Sequence, residues 1–161
     1  MKIAVFSTRP NDQASLVKAN GARHSLAYFE AHLSRKSAAM AANAKAVCAF
    51  VNDQLDRSTL ELLGQGGTRI FALRCTGFNN VDLDTAAEFD ITIASVPAYY
   101  PHAVAERTAA LILSFNRHIR RADARVREGY FSLDWLLGLD MQGRPVGIVG
   151  TGKIGLVLGR I

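Results

Sequence analysis

The chain of 161 residues has a hydrophobic fraction of 49% and a charged fraction of 20%, the balance of a soluble globular protein with one domain and room for the start of another. Its formal net charge of +5 is concentrated in the run "RHIRRADARVR" (117–127), which contains five arginines. We interpret this run as a solvated helix face and exclude a nucleic-acid partner, because no nucleic-acid motif accompanies it.

Membrane, secretory and metal-binding classes are also disfavoured. No apolar run reaches the roughly 20 residues that a membrane-spanning helix needs. The N-terminus, "MKIAVFSTRP", is too short in its apolar part for a signal peptide, so we expect a cytoplasmic protein. Cys48 and Cys75 lie far apart in strand-like runs, so we expect buried free thiols and neither a disulfide nor a zinc site.

The first hundred residues alternate short apolar runs with amphipathic stretches. The apolar runs predict five strands, over residues 2–6, 24–29, 46–51, 70–74 and 91–94. Between them we predict helices over 12–20 and 34–44, a third from Asp56 through Leu63 with Gly64 just past its end, and a fourth from Asp82 or Asp84 through Phe89. This alternation predicts an α/β fold with a doubly wound parallel sheet.

The pattern changes after residue 95. Pro101 suits the first position of a helix, and apolar residues at intervals of three and four then predict one amphipathic helix ending near Gly129, roughly 40 Å long. An irregular connector follows, with a strand predicted over 145–149 and a helix from Lys153. Four large apolar side chains of the connector are expected to pack against something: Trp135, Leu136, Leu137 and Leu139.

Three glycines near the end of the chain, Gly150, Gly152 and Gly155, have the spacing G-x-G-x-x-G between a predicted strand and a predicted helix. Such a loop turns tightly, lets backbone approach a dinucleotide's pyrophosphate and packs the helix on the strand. A glycine-rich turn without a ligand is the alternative. The acidic residue expected about 20 residues beyond the loop does not occur before Ile161, so we expect the front part of a longer protein.

Four separated motifs carry a resemblance: "LRCTGFNNVDL" (73–83), "VPAYYPHAVAE" (96–106), "REGYFSLD" (127–134) and "GTGKIG" (150–155). Together they resemble the D-lactate dehydrogenases of the D-isomer-specific 2-hydroxyacid dehydrogenase family. The resemblance implies a flavodoxin-like catalytic domain over 1–100, then an interdomain helix and the start of a Rossmann NAD-binding domain over 101–161. It further implies NAD as cofactor, reduction of pyruvate to D-lactate in a cleft between the domains, and a homo-oligomer, most simply a dimer, at full length.

The resemblance also assigns substrate residues. Thr76 and Gly77 match positions whose backbone N–H groups receive the substrate carboxylate, which agrees with the tendency of loops at the carboxyl ends of parallel strands to bind ligands. A simple turn is the alternative. Phe50 matches a position beside the substrate's side chain, and Tyr99 lies at the hinge and is assigned to the cleft border; for both, ordinary packing is the alternative.

The cofactor residues implied by the same resemblance are the three glycines, the backbone of two residues after the second glycine, and one residue of the long helix: Gly150, Gly152, Lys153, Ile154, Gly155 and Val104. Core packing is the alternative for Val104. The resemblance places the catalytic arginine, glutamate and histidine beyond Ile161, so we assign no catalytic residue here and expect the chain by itself to be inactive.

Some residues depart from the family pattern or invite other functions. Tyr100 stands where a small or acidic residue is common, and Arg107 where histidine is common. His102 is not taken as a base, and His24, His32 and His118 show no partner pattern for a metal or a triad. A non-catalytic binding or regulatory module of the same fold family is the main alternative. A receiver or flavodoxin domain is disfavoured, because "FSTRPND" (6–12) has neither a phosphate cradle nor paired carboxylates.

Overall fold

The computed structural model describes residues 1–98 and 100–161. The chain separates into two compact units, Met1–Tyr99 and Tyr100–Ile161. The first unit is a parallel α/β sheet with helices and turns between its strands, and the second consists of helices and connecting loops. No helix of the described residues is long and apolar enough to cross a membrane.

The first unit contains one sheet of five parallel strands. The strands are β1 (Lys2–Val5), β2 (Ser25–Tyr28), β3 (Ala46–Ala49), β4 (Ile70–Leu73) and β5 (Thr92–Ala94). Their order, β2-β1-β3-β4-β5, is that of flavodoxin-like sheets, in which the chain reverses its direction of growth between β1 and β3. The predicted doubly wound parallel sheet is confirmed, and each strand lies inside its predicted range.

The core of this unit is formed by every second side chain of the central strands and by side chains of the neighbouring helices. Ala4 and Phe6 are fully buried, as are Val47 and Phe71 on the next strands, and all four belong to one apolar cluster. Leu60 of a neighbouring helix is also fully buried in this cluster, and burial of one such side chain stabilises a protein by about 1.5–3 kcal/mol. The continuous apolar run of β3 is therefore explained by burial along its whole length, whereas β4 buries alternate residues.

Two helices of this unit begin at aspartates, as predicted. Asp56 accepts a hydrogen bond from the backbone N–H of Thr59 at 2.9 Å and caps α2 (Arg57–Gln65), and Asp82 caps α3 (Leu83–Glu88) in the same way. The predicted end of α2 is wrong, because Gly64 lies inside the helix. A Cβ at Gly64 would lie 2.9 Å from the Cβ of Phe89, so this glycine provides close packing and does not end the helix.

Two other helix predictions are corrected. The first helix, α1 (Pro10–Asn20), starts two residues earlier than predicted, because Pro10 takes its first turn and the Asp12 carboxylate accepts from the N–H of Arg9. The helix predicted over 34–44 is wrong: the chain forms turns and only a short 3-10 helix, Ala38–Ala41. Ser37 Oγ accepts from the N–H of Ser34 and donates to the carbonyl of His32, and such local bonds compete with helix formation.

The single long helix predicted in the second unit is broken in two. Helix α4 (Pro101–Asn116) ends before His118, which adopts a left-handed φ of 50°, and α5 (Ile119–Arg127) follows. The Asn116 side chain donates to the carbonyl of Leu139 at 2.8 Å and accepts from its N–H at 3.1 Å. The connector is therefore held against the end of α4, and this distant contact accompanies the break.

The end of the second unit differs in part from expectation. Residues 145–149 form no strand, since no described strand pairs with them, whereas helix α6 (Lys153–Leu158) begins at Lys153 as predicted. Trp135 and Leu137 are 80% and 84% exposed, and Leu139 is also exposed, so the expectation that these three side chains pack is wrong. Leu136 is half-buried.

Candidate functional site

Polar and charged side chains collect at one edge of the sheet, where the strands end. Ser7 follows β1, Phe50 and Asp53 follow β3, and Arg74 follows β4 directly. Parallel strands bring their carboxyl ends to the same edge, and the reversal between β1 and β3 opens a crevice there. The edge holds a cavity of about 320 Å³, lined by Ser7, Arg9, Asp12, Glu30, His32, Phe50, Asn52 and Arg74.

Asp53 is the buried centre of this edge. Its side chain is fully buried, and its carboxylate accepts three hydrogen bonds: from Ser7 Oγ at 2.6 Å, from the N–H of Leu33 at 2.8 Å and from the N–H of Phe50 at 2.6 Å. A buried carboxylate is tolerated only when its oxygens are satisfied in this way. Asp53 therefore ties together the segments that follow β1, β2 and β3.

Arg74 makes the complementary connection from β4. One guanidinium nitrogen donates to the carbonyls of Phe6 at 2.7 Å and Ser7 at 3.1 Å, and another forms an ion pair with Asp12 at 3.2 Å. The guanidinium carbon lies 5.3 Å from the centre of the Phe50 ring, within the range of a cation–π contact. Only 16% of the Arg74 side chain is exposed, so a cation is held largely inside the protein at this edge.

His32 has partners that the sequence did not reveal. Its Nδ1 lies 2.8 Å from Ser7 Oγ and 3.7 Å from an oxygen of Asp53. The single hydroxyl proton of Ser7 goes to Asp53, so Nδ1 of His32 must donate to the serine oxygen. This order of bonds is not that of a nucleophilic triad, in which the serine donates to the histidine. The sequence offered no partner pattern for His32, and its contacts with Ser7 and Asp53 come from the fold.

The substrate residues assigned by resemblance lie at this edge. Phe50 is 36% exposed, and Thr76 and Gly77 are exposed in the turn that begins two residues after Arg74. Neither N–H of Thr76 and Gly77 donates a hydrogen bond among the bonds found for the described residues. A Cβ at Gly77 would meet no atom within 4 Å, so the turn is open to solvent. Such free N–H groups are available to an anion.

The turn is tied to the loop after β3 by Asn80. Its side-chain amide donates to the carbonyl of Asp53 at 2.8 Å, and its own carbonyl accepts from the N–H of Leu55. The two loops that carry Phe50 and Thr76 therefore share hydrogen bonds and cannot shift independently. Tyr99, the remaining substrate residue assigned by resemblance, lies outside the described residues.

Both cysteines are buried and free, as predicted. Burial raises the pKa of the Cys48 thiol to about 11, and the nearby Arg74 cation only partly opposes this effect. Burial also raises the pKa of Cys75, whose Sγ lies 3.2 Å from the carbonyl of Gly77. Neither thiol has the lowered pKa of a nucleophile, and no metal-binding group of three or more ligands occurs among the described residues.

The glycine loop of the second unit has a backbone that other residues would not adopt easily. Gly150 has φ of 100°, in the region that favours glycine. A Cβ at Gly155 would collide with the carbonyl oxygen of Gly150, so the third glycine permits close packing of helix on loop. Gly152 is the N-cap residue of α6, and a Cβ there would meet no atom within 4 Å. The space beside the second glycine is therefore open.

The other residues assigned to the cofactor lie on helices of the second unit. Lys153 and Ile154 open α6, and both are exposed. Val104 lies in the first turn of α4 and is half-buried, with its carbonyl accepting from Thr108 Oγ1 at 2.8 Å. His102 and Tyr100 are exposed, with ring centres 5.8 Å apart. The contacts described for these side chains do not indicate a catalytic group.

The polar residues that support the edge were not predicted from the sequence, above all the buried Asp53 and the half-buried Arg74 and Ser7. Their signal was present in the sequence: "FVND" (50–53) and "LRC" (73–75) place a charged residue beside the end of an apolar strand. Charged residues are rarely buried unless paired. A charged residue at the carboxyl end of an apolar strand is therefore a marker of the ligand edge.

The fold and its edge define a flavodoxin-like α/β domain with an exposed turn after β4, followed by a glycine loop. A family model described as "D-isomer specific 2-hydroxyacid dehydrogenase, catalytic domain" matches residues 3–148. The chain therefore belongs to the D-isomer-specific 2-hydroxyacid dehydrogenase family, and the resemblance inferred from the motifs is confirmed.

Individual relatives agree with this assignment. "2-hydroxyacid dehydrogenase homolog 1" of Schizosaccharomyces pombe is 50% identical over 156 residues, covering 96% of this chain and 47% of that protein. The apo-structure of D-lactate dehydrogenase from Escherichia coli has a TM-score of 0.92 and 45% identity, covering 99% of this chain and 51% of that one. D-Lactate dehydrogenase from Aquifex aeolicus, solved with NAD and lactic acid, has a TM-score of 0.78 and 27% identity, covering 98% and 47%. The chain thus spans about half the length of these relatives.

Proposed function

We propose that this chain is the N-terminal part of an NAD-dependent D-lactate dehydrogenase, which reduces pyruvate to D-lactate. The observation that carries the proposal is the exposed turn at Thr76 and Gly77, whose N–H groups make no hydrogen bond with the described residues. Membership of the family and the similarity to the E. coli and A. aeolicus D-lactate dehydrogenases support the choice of reaction.

The proposed substrate roles follow from the chemistry of the edge. The carboxylate of a 2-oxo acid accepts hydrogen bonds from the two free N–H groups, which fixes one end of the substrate. The exposed face of Phe50 contacts the short apolar side chain of the 2-oxo acid. Tyr99 is proposed to border the same site. Holding the substrate in a fixed orientation is the contribution of this unit to hydride transfer.

The proposed cofactor is NAD, which supplies the hydride for reduction when bound. The residues present fit its pyrophosphate: Gly150 turns the chain, Gly152 leaves space beside the backbone, and Gly155 allows close packing. The backbone of Lys153 and Ile154 is proposed to face the pyrophosphate, and Val104 to contact the nicotinamide. The similarity to the A. aeolicus enzyme, which was solved as a complex with NAD, supports this choice.

We further propose a cytoplasmic homo-oligomer for the full-length protein. The support is the apolar surface of the second unit, where Leu111, Leu113 and Phe115 of α4 are exposed, Phe115 by 85%. Exposed apolar patches of this kind favour association. The measurement is light scattering coupled to gel filtration, in which a dimer is expected and a monomer at micromolar concentration contradicts the proposal.

The experiment that tests the function uses the full-length protein, meaning this chain continued by the second half that its relatives carry. We expect pyruvate-dependent oxidation of NADH with D-lactate as the product. The 161-residue chain alone is expected to be inactive, because no described residue is assigned as the proton donor or as a clamp on the 2-oxo group. Turnover that copurifies with the 161-residue chain contradicts this expectation.

The cofactor proposal is tested with a matched pair of variants in the full-length protein. Gly152→Val fills the space proposed for pyrophosphate and should abolish NADH binding in a calorimetric titration. Gly147→Val is the control, since a Cβ at Gly147 also meets no atom within 4 Å but lies before the loop. Equal NADH affinity for both variants removes Gly152 from the site. A protein that binds neither NADH nor pyruvate favours the alternative, a non-catalytic module of this fold family.

A further inference from the structure

The network around Arg74 suggests a role beyond stabilising the fold. The side chain spans three elements: the carbonyls that follow β1, Asp12 of α1 and the Phe50 ring that follows β3. The backbone N–H of Arg74 donates to the carbonyl of Ala49 at 2.9 Å, so its position is also fixed by the ladder between β3 and β4. Arg74 is therefore fixed both at its backbone and at its guanidinium group.

Phe50 is held less completely. Its backbone N–H is bonded to Asp53, but the residue is 36% exposed, and the aromatic contact found for its ring among the described residues is the cation–π contact with Arg74. The cation thus supports one face of the ring while part of the ring remains open to solvent. Removing the guanidinium frees the ring to rotate, because the backbone bond to Asp53 does not restrain the side chain.

We propose that Arg74 is a positioning residue that sets the substrate size preference of the site by fixing the ring of Phe50. This inference rests on the proposed function, in which Phe50 contacts the substrate side chain and Thr76 and Gly77 hold its carboxylate. With the ring fixed, the space between the carboxylate site and the ring accommodates substrate side chains of one length. With the ring free, longer 2-oxo acids fit as well as pyruvate does.

A lysine cannot replace this arginine. A guanidinium is a planar fork that bonds the two carbonyls and Asp12 at once and lies flat on an aromatic ring, whereas an ammonium is a compact point charge. Arg74→Lys keeps the charge but loses the shape. The proposal therefore predicts that Arg74→Lys shifts substrate preference in the same direction as Arg74→Met, by a smaller factor.

Kinetic constants of the full-length protein with NADH test the proposal, using pyruvate and the longer 2-oxohexanoate as substrates. For Arg74→Met we expect the ratio of kcat/KM between pyruvate and 2-oxohexanoate to fall about 10-fold, a change within the range that hydrophobic pockets achieve through small differences in size. The change should fall mainly on KM. The matched control is Arg69→Met at the other end of β4, where Arg69 donates to the carbonyls of Gly64 and Thr68, and this control should leave the ratio unchanged.

A double-mutant cycle separates positioning from general destabilisation. If Arg74 acts through Phe50, then Arg74→Met should change the ratio little once Phe50→Leu has removed the ring, so the two effects are not additive. If Arg74→Met does not fold, Asp12→Asn is the second variant: it removes the ion pair at 3.2 Å and should lower the ratio about 3-fold through a looser guanidinium.

The outcomes are distinguishable. An active wild type together with an unchanged ratio in Arg74→Met, or in Asp12→Asn where that variant is used, overturns this inference alone. Additive effects of Arg74→Met and Phe50→Leu also overturn it, because they show that the arginine acts by another route. A wild type that reduces neither 2-oxo acid overturns the proposed function and this inference together.

Discussion

Replacement of Asp53 tests whether the ligand edge is held by one buried carboxylate. In Asp53→Ala the hydroxyl of Ser7 and the N–H groups of Leu33 and Phe50 all lose their acceptor. A hydrogen bond to a charged group contributes about 1.5–3 kcal/mol, so three of them set an upper range of about 5–9 kcal/mol. Water from the adjacent cavity can replace part of this, and we expect a loss of about 3–5 kcal/mol.

Asp53→Asn should be intermediate for a geometric reason. One carboxylate oxygen accepts from both Ser7 and Leu33, while the other accepts from Phe50 alone. An amide that keeps its oxygen toward Ser7 and Leu33 turns its NH₂ toward the N–H of Phe50, so one bond is lost and two donors face each other. We expect a loss of about 2–3 kcal/mol and faster hydrogen exchange at the Phe50 amide.

The assay is urea unfolding of the 161-residue chain followed by far-UV circular dichroism. The single tryptophan, Trp135, lies in the second unit and is 80% exposed, so its fluorescence does not report on this edge. With about 1–3 kcal/mol per molar urea, Asp53→Ala should lower the midpoint by about 2 M. Asp90→Asn is the control, because Asp90 is exposed and should change stability by less than about 0.5 kcal/mol. A loss below about 1 kcal/mol for Asp53→Ala refutes the reasoning.

Three further predictions concern the glycine loop, a thiol and a helix cap. Gly155→Ala drives a Cβ into the carbonyl of Gly150 and should cost about 1–3 kcal/mol in thermal unfolding. Gly159→Ala should cost less, because its closest contact would be the flexible end of Ile148 at 3.3 Å and the nearest carbonyl lies at 3.5 Å; equal losses contradict the packing argument. Burial raises the pKa of the Cys48 thiol to about 11, so the stability of the fold should decrease as the pH rises from about 9 toward 11. Cys48→Ala should flatten that decrease, and an identical decrease in the variant contradicts the assignment to Cys48. The hydrogen bond from the backbone N–H of Thr59 lowers the pKa of Asp56, so this helix cap stabilises the fold above the ordinary carboxyl pKa and is lost as the pH falls through the lowered pKa. Asp56→Ala should cost about 1 kcal/mol at pH 7, and Asp56→Asn should keep most of the cap without the pH dependence.

The parts of the fold that could be predicted are those that depend on neighbouring residues. The five strands were found because each is an apolar run, and the starts of α2 and α3 because Asp56 and Asp82 bond amides three residues ahead. The helix predicted over 34–44 failed because Ser37 offers the backbone other hydrogen bonds, which alanine content does not reveal. The break near His118 was missed because Asn116 bonds Leu139, a contact across 23 residues.

The candidate site likewise has one part that the sequence predicted and one part that it did not. The resemblance provided the positions of Phe50, Thr76 and Gly77, which lie at the carboxyl edge of the sheet. It did not provide the support for them, because Asp53 reaches Ser7 across 46 residues and Arg74 reaches Phe6 across 68. No local pattern encodes such pairs, and only the strand order brings them together.

The two loops proposed to bind ligands therefore depend on the rest of the chain to different degrees. The glycine loop has its shape from a few consecutive residues, since the positive φ of Gly150 and the close approach of Gly155 to its carbonyl lie within one turn. A sequence motif can describe such a loop completely. The edge that carries Phe50 is instead fixed by a buried anion, Asp53, and a largely buried cation, Arg74, which between them join the segments that follow β1, β2, β3 and β4. Loosening any of those strands moves the acceptors and donors of these charges, so the shape of the edge can persist only while β1 to β4 stay paired.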